Sequence, residues 1–218
     1  MAELILFDLD GTLTDSAPGI TRCVQHALSK LDRPQYTMEE LNCFLGPPLH
    51  TQFMKFAALT SEEADMAVEY YRECYTGTGI YENRVYEGIP ELLAALKKCG
   101  KRLGVASSKP QIYVEKILDY FKLKNQFDVI AGSEMNGDRT DKAEVIEEAL
   151  KRSGYAEKRD QVVMVGDRSH DVIGAKKCGV VCVGAAYGYG GRAELEETGA
   201  DFIADQVQEL YTLLLERK

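Results

Sequence analysis

Five short runs along the chain are dominated by apolar residues: Leu4–Phe7, Arg102–Ala106, Phe127–Ala131, Val162–Val165 and Val180–Val183. Runs of this length, rich in Val and Ile and without polar alternation, read as strands buried on both faces. Each is followed by a polar or Gly-containing turn and then by a helical pattern. That alternation implies βαβ units and an α/β core in which helices flank a parallel sheet.

The helices have legible ends. Ile20, Cys23, Val24, Ala27, Leu28 and Leu31 fall on one face, with Ser16 and Pro18 at the start. Pro90 opens a second helix that passes through Leu92, Leu93 and Leu96 and stops at Gly100. A third runs from about Lys142 to Gly154, and a fourth follows Asp171 and ends at Gly179.

Between the first two strands the alternation fails. About eighty residues contain no convincing strand and read as several helices, with Thr37/Glu40 and Thr60/Glu63 as candidate capping boxes. Two strands of one sheet need far less connecting chain. The expected organisation is therefore a core of residues 1–14 and 85–218 with an all-helical cap domain, 15–84, inserted into it.

The length of 218 residues suits such an arrangement. A formal net charge of −9 repels phosphate backbones and anionic membranes, so nucleic acid is not an expected partner. Six cysteines without a Cys-x-x-Cys pair point to reduced thiols rather than disulfides or zinc. Nothing in the sequence has the form of a signal peptide or of a membrane span of roughly 20 apolar residues, which places the expected protein in the cytoplasm, as a monomer or homodimer.

The chemistry gathers where strands end. The first strand runs into Asp8-Leu-Asp10-Gly11-Thr-Leu-Thr-Asp15, and the fourth into Gly166-Asp167-Arg168-Ser-His-Asp171. Open α/β sheets bind ligands outside the carboxyl ends of their strands. Either cluster alone reads equally as a turn or a helix cap. Together, on neighbouring strands, they make a self-repelling group of carboxylates that calls for a hard cation, with Mg²⁺ the expected cofactor. Gly11 offers backbone N–H groups to a phosphate. Ser107 and Ser108 follow the second strand, and Lys142 opens a helix where its charge opposes the helix dipole unless an anion lies nearby. Lys109 leaves some ambiguity over which lysine serves the site, and position favours Lys142.

In this order the motifs resemble those of the haloacid dehalogenase superfamily of phosphotransferases. The likeness covers nearly the whole chain. Gly46-Pro47-Pro48 and Tyr187-Gly-Tyr-Gly followed by Glu194-Leu195 resemble its phosphoglycolate phosphatase-like and 5′-nucleotidase-like branch. The resemblance implies a Rossmann-like core and hydrolysis of small phosphorylated metabolites. It implies Asp8 as nucleophile and Asp10 as acid and then base. Asp8, Asp10 (through its carbonyl), Asp167 and Asp171 would serve the metal, while Gly11, Ser107, Ser108 and Lys142 would hold phosphate. Ser108 stands where many relatives have Asn, Ala143 where they have Pro, and Arg168 where a small residue is commoner. A phosphomutase or a non-catalytic binding module are the alternatives. Asp10 argues against a dehalogenase, which has no alkoxide to protonate, and the presence of both Asp8 and Asp10 argues against a binding module.

Overall fold

The computed structural model describes residues 2–215. The chain begins with β1 (Leu4–Phe7), β2 (Thr14–Asp15) and α1 (Ala17–Lys30), then α2 (Leu49–Ala57), α3 (Ser61–Gly77) and β3 (Arg84–Val85). The remainder alternates as α4 (Ile89–Lys98), β4 (Arg102–Pro110), α5 (Gln111–Tyr120), β5 (Val129–Ser133), α6 (Lys142–Ser153), β6 (Val162–Gly166), α7 (Ser169–Cys178), β7 (Val181–Ala185), α8 (Gly191–Thr198), β8 (Phe202–Ala204) and α9 (Val207–Leu215). The described residues form two compact units, one made of the chain up to Thr14 and from Val85 onward, the other Asp15–Arg84. Where the chain passes from one unit to the other, β2 and β3 form a two-stranded ribbon.

The first unit holds a six-stranded sheet in the order β5-β4-β1-β6-β7-β8, every pairing parallel. All four residues of β1 are buried, as expected for a central strand apolar on both faces. Leu4 pairs with both Arg102 and Val162, and Phe7 with both Val105 and Val165, so β1, β4 and β6 end level with one another. The strand order diverges at β1, and the crevice at such a switch point is where open sheets bind ligands. One face of the sheet is packed by Val145, Ile146, Ala149 and Leu150 of α6 and Val172 and Ala175 of α7 against Leu4, Leu6 and Met164. Each large side chain buried in this way contributes roughly 1.5–3 kcal/mol.

Several elements differ from the sequence reading, β5 and β7 each being shifted toward the C-terminus of the expected run. β4 runs to Pro110, past the expected end at Ala106, with a register irregularity against β5 between Ser107 and Pro110. α7 begins at Ser169, so Asp171 lies in its first turn rather than before it. β8 is an apolar run of only three residues, exposed at Phe202, and is not among the expected strands.

The second unit packs Cys23, Val24, Ala27 and Leu28 of α1 with Ala64, Ala67, Tyr71 and Tyr75 of α3 in buried positions. The Phe44 and Phe53 rings meet at 4.9 Å and Tyr71 stacks on Tyr75 at 5.2 Å. Thr60 and Glu63 form a capping box at the start of α3. Thr37 and Glu40 exchange the same reciprocal bonds, but the segment they open, Glu40–Phe44, is a single 3₁₀ turn rather than an α-helix.

Candidate active site

Beyond Phe7 the β1 strand delivers Asp8, whose amide N–H donates to the Val165 carbonyl of β6 at 2.8 Å. This bond ties the first acidic cluster to the strand that carries the second. Asp10 bridges to Thr14, and the Gly11 amide closes the turn on the Thr14 carbonyl at 2.8 Å. Gly11 has φ +78°, and a Cβ there would collide with the Asp167 carboxylate. A glycine is thus required both by the backbone angle and by the approach of the second cluster. At the end of β6, a Cβ on Gly166 would strike the Asp171 carboxyl, so the missing side chain lets Asp171 fold back to the strand end.

Asp8, Asp167 and Asp171 each offer a carboxylate oxygen, and these oxygens lie within 4.8 Å of one another. Asp167 and Asp171 are fully buried, and only 13% of the Asp8 side chain is exposed. Lys142 Nζ stands 2.9 Å from Asp8 Oδ1, 2.9 Å from Asp171 Oδ1 and 3.2 Å from the Ala106 carbonyl, to which it donates. It ion-pairs with both carboxylates, and Asp8 Oδ1 and Asp171 Oδ1 are otherwise buried without a partner. Asp141 places Lys142 by capping α6, accepting from the Ala143 amide at 2.8 Å.

The electrostatics follow from this crowding. Burial pushes the Asp8 carboxyl up to about 6. The nearby Asp171 charge adds to the rise, and Lys142 and the Ser107 hydroxyl oppose it. Burial, then Asp171 and Asp8, hold Asp167 well above the carboxylate range, against the pull of the Tyr189 amide. Burial alone would lower Lys142, yet the charges of Asp171 and Asp8 raise it, so it stays protonated. Lys142 is shared between Asp8 and Asp171, and Asp167 adds a third carboxyl beside them, so oxygens outnumber the cation. That excess of oxygen charge fits a hard divalent cation, which takes carboxylate oxygens as ligands.

Of the other expected residues, Ser107 is buried beside Asp8, and its Oγ accepts from the Lys109 amide at 3.4 Å. Ser108, half-buried, is next along β4. The structure places two lysines where the sequence reading chose one. Lys109 Nζ donates to Asp10 Oδ2 at 2.6 Å, with 8% of its side chain exposed. Each lysine therefore faces a different carboxylate of the first cluster.

The loop after β7 completes the surroundings. The Tyr189 amide donates to Asp167 Oδ2 at 2.8 Å, and the Tyr187 hydroxyl donates to the Thr12 carbonyl at 2.9 Å. Glu194 of α8 accepts from the Ser169 amide at 2.6 Å and from Arg168 Nε at 3.0 Å, which pins the first turn of α7. The Tyr187-Gly-Tyr-Gly stretch and Glu194 stand out in the sequence only through the branch resemblance, and their bonds to the site were not legible there.

The chain matches known proteins over most of its length. A family model described as haloacid dehalogenase-like hydrolase matches residues 5–185. A 5′-nucleotidase of Pseudomonas aeruginosa is 47% identical over 88% of this chain and 86% of its own. A protein named tyrosine-protein kinase PtkA from Mycobacterium tuberculosis is 38% identical over 92% of this chain and 68% of its own. The crystal structure of a predicted phosphatase from Clostridium acetobutylicum superposes with a TM-score of 0.95, at 43% identity, covering 100% of both chains.

Proposed function

The chain belongs to the haloacid dehalogenase-like hydrolase family and is a hydrolase of phosphomonoesters, and we propose that it works through a covalent phosphoryl intermediate on Asp8, with Mg²⁺ as cofactor. The observation that carries the reading is the cluster itself: a partly accessible carboxylate, Asp8, among two buried carboxylates and a buried ammonium at the switch point of the sheet. Asp8, the Asp10 carbonyl, Asp167 and Asp171 would hold the metal. When bound, Mg²⁺ neutralises oxygen charge on the carboxylates and on the phosphoryl group.

The chain's own residues divide the remaining work. Asp8 attacks phosphorus. The Asp10 carboxyl, held by Lys109, protonates the departing oxygen and later takes a proton from the water that cleaves the acyl phosphate. Lys142 keeps a fixed positive charge beside Asp8, where the transferred group gathers negative charge. Ser107 supplies a donor for the phosphoryl oxygens, whereas the Gly11 amide expected to do so is given to the Thr14 carbonyl and the Thr12 and Leu13 amides to the Leu9 carbonyl. Ser108 is assigned a secondary contact with the same group.

The substrate is a small phosphorylated metabolite. Nucleoside 5′-monophosphates come first among the candidates because the Pseudomonas aeruginosa relative is named a 5′-nucleotidase. The helical unit Asp15–Arg84 is assigned the choice of leaving group. The test is a panel of phosphomonoesters with Mg²⁺, run on the wild type and on Asp8→Asn. The panel includes nucleoside monophosphates, phosphoglycolate, sugar phosphates and phosphotyrosine, with one further arm of ATP plus a tyrosine peptide. Phosphate release by the wild type and a loss on the order of 10⁴-fold or more in the variant is the expected result. Phosphotyrosine formation without phosphomonoester hydrolysis would contradict it and favour a transferase like the one the mycobacterial relative's name describes.

A further inference from the structure

Away from the carboxylate site, α1 and α3 bring two thiols together. Cys23 Sγ and Cys74 Sγ are 2.7 Å apart, closer than two thiols in ordinary contact and beyond the roughly 2.05 Å of a covalent bond. All six cysteines are free. The two differ in access: Cys23 is fully buried, while Cys74 is half-exposed. Cys23 cannot turn away easily, because Gly79 packs so close that a Cβ on it would collide with Cys23 Sγ. A cation completes the group. Arg22 donates from Nε to Glu82 Oε2 at 2.5 Å and from Nη2 to Thr78 Oγ1 at 2.5 Å, which leaves Nη1 aimed at Cys74 Sγ at 3.4 Å.

We propose that Cys23 and Cys74 form a redox-active pair, oxidised by hydroperoxides to a reversible disulfide that ties α1 to α3. The division of labour follows from exposure and charge. Cys74, beside a guanidinium and reachable from solvent, gives up its proton and attacks the hydroperoxide. The O–O bond breaks, sulfur takes one oxygen as sulfenic acid, and the other oxygen leaves as an alcohol or water after taking a proton. The buried Cys23 thiol then attacks the Cys74 sulfur, forming the S–S bond and releasing the sulfenic oxygen as water. Two thiols are oxidised by two electrons, and one hydroperoxide is reduced. A cytosolic thiol pool would return the pair to the free state found here.

The test uses the full chain and does not depend on its phosphatase activity. The protein is treated with hydrogen peroxide, blocked with an alkylating reagent, digested without reductant and analysed by mass spectrometry. A peptide linked through Cys23 and Cys74 is expected, and dithiothreitol should reverse it. Cys23→Ser should leave Cys74 as a sulfenic acid that dimedone captures. Arg22→Gln should slow formation of the linked peptide several-fold. The exposed Cys99 serves as an internal control for oxidant strength. Oxidation of Cys99 with no Cys23–Cys74 peptide in the wild type would overturn the proposal. So would linked species that join only different molecules.

Discussion

Lys109 Nζ donates to Asp10 Oδ2 across 2.6 Å, joining the end of β4 to the turn after β1. The bond spans 99 positions of sequence, and both side chains are largely buried. Lys109 lies within the segment, Ser107 to Pro110, over which β4 shifts its register against β5.

If this bond holds Asp10 in place for proton transfer, Lys109→Met should lower kcat about tenfold or more. That is within the ~10²–10⁴-fold that a positioned acid–base group supplies. The loss should be larger for alkyl phosphates than for p-nitrophenyl phosphate, whose leaving group departs without a proton. Steady-state kinetics on the two ester types checks this. An equal loss on both would assign Lys109 to phosphate binding instead.

Metal binding should be linked to pH. Asp8 is pushed up to about 6, well above the ordinary carboxylate value, so the folded protein holds that proton to a higher pH than the unfolded chain. A raised carboxylate pKa means that the metal-free protein loses stability as pH climbs through this interval, because the unfolded state has given up a proton that the folded state still binds. Above about pH 6 the Asp8 carboxylate is charged. Mg²⁺ should therefore raise the thermal midpoint more at pH 8 than at pH 5, where it must displace a proton. Chelation should abolish phosphate release, Mg²⁺ should restore it, and Ca²⁺ should inhibit through its looser coordination. A midpoint shift independent of pH would contradict the assignment of Asp8 as a ligand.

Glu194 anchors the turn that carries Asp171. Burial raises its pKa, but the Ser169 and Arg168 donors outweigh burial and hold the carboxyl below its ordinary value. A depressed pKa contributes stability above the unfolded value and loses it as pH falls. Glu194→Gln should cost about 1.5–3 kcal/mol, the scale of a hydrogen bond to a charged group. It should also reduce kcat while leaving the leaving-group dependence unchanged. Thermal melts at pH 7 and pH 4 check the first part: the difference between variant and wild type should shrink at pH 4.

Much of this site was legible in the chain because two kinds of signal coincide. Leu4–Phe7 and Val162–Val165 are unbroken apolar runs, and each ends in Asp with Gly beside it, so strand ends and chemistry are marked together. The structure brings Asp8, Asp167, Asp171 and Lys142 to one point, as the motif order implied. What the sequence did not disclose depends on chain reversals. Lys109 reaches Asp10 from the part of β4 that runs on beyond Ala106 and shifts its register. Tyr189 serves Asp167 through its backbone amide, which no side-chain pattern records. β8 is too short and too exposed to carry a periodic signal, and its placement rests on pairing with β7.

The central claim is that phosphate passes through Asp8, and the Asp10→Asn variant tests it most directly. Asparagine keeps the main-chain carbonyl while removing the group that activates the hydrolytic water. The variant would be mixed rapidly with p-nitrophenyl phosphate and Mg²⁺, then quenched in acid and digested. The account predicts a burst of nitrophenol close to one equivalent per protein, slow turnover afterwards, and a hydroxylamine-sensitive phosphoryl group on the peptide that contains Asp8. Linear nitrophenol release with no phosphorylated peptide, or a phosphoryl group on any other residue, would contradict it.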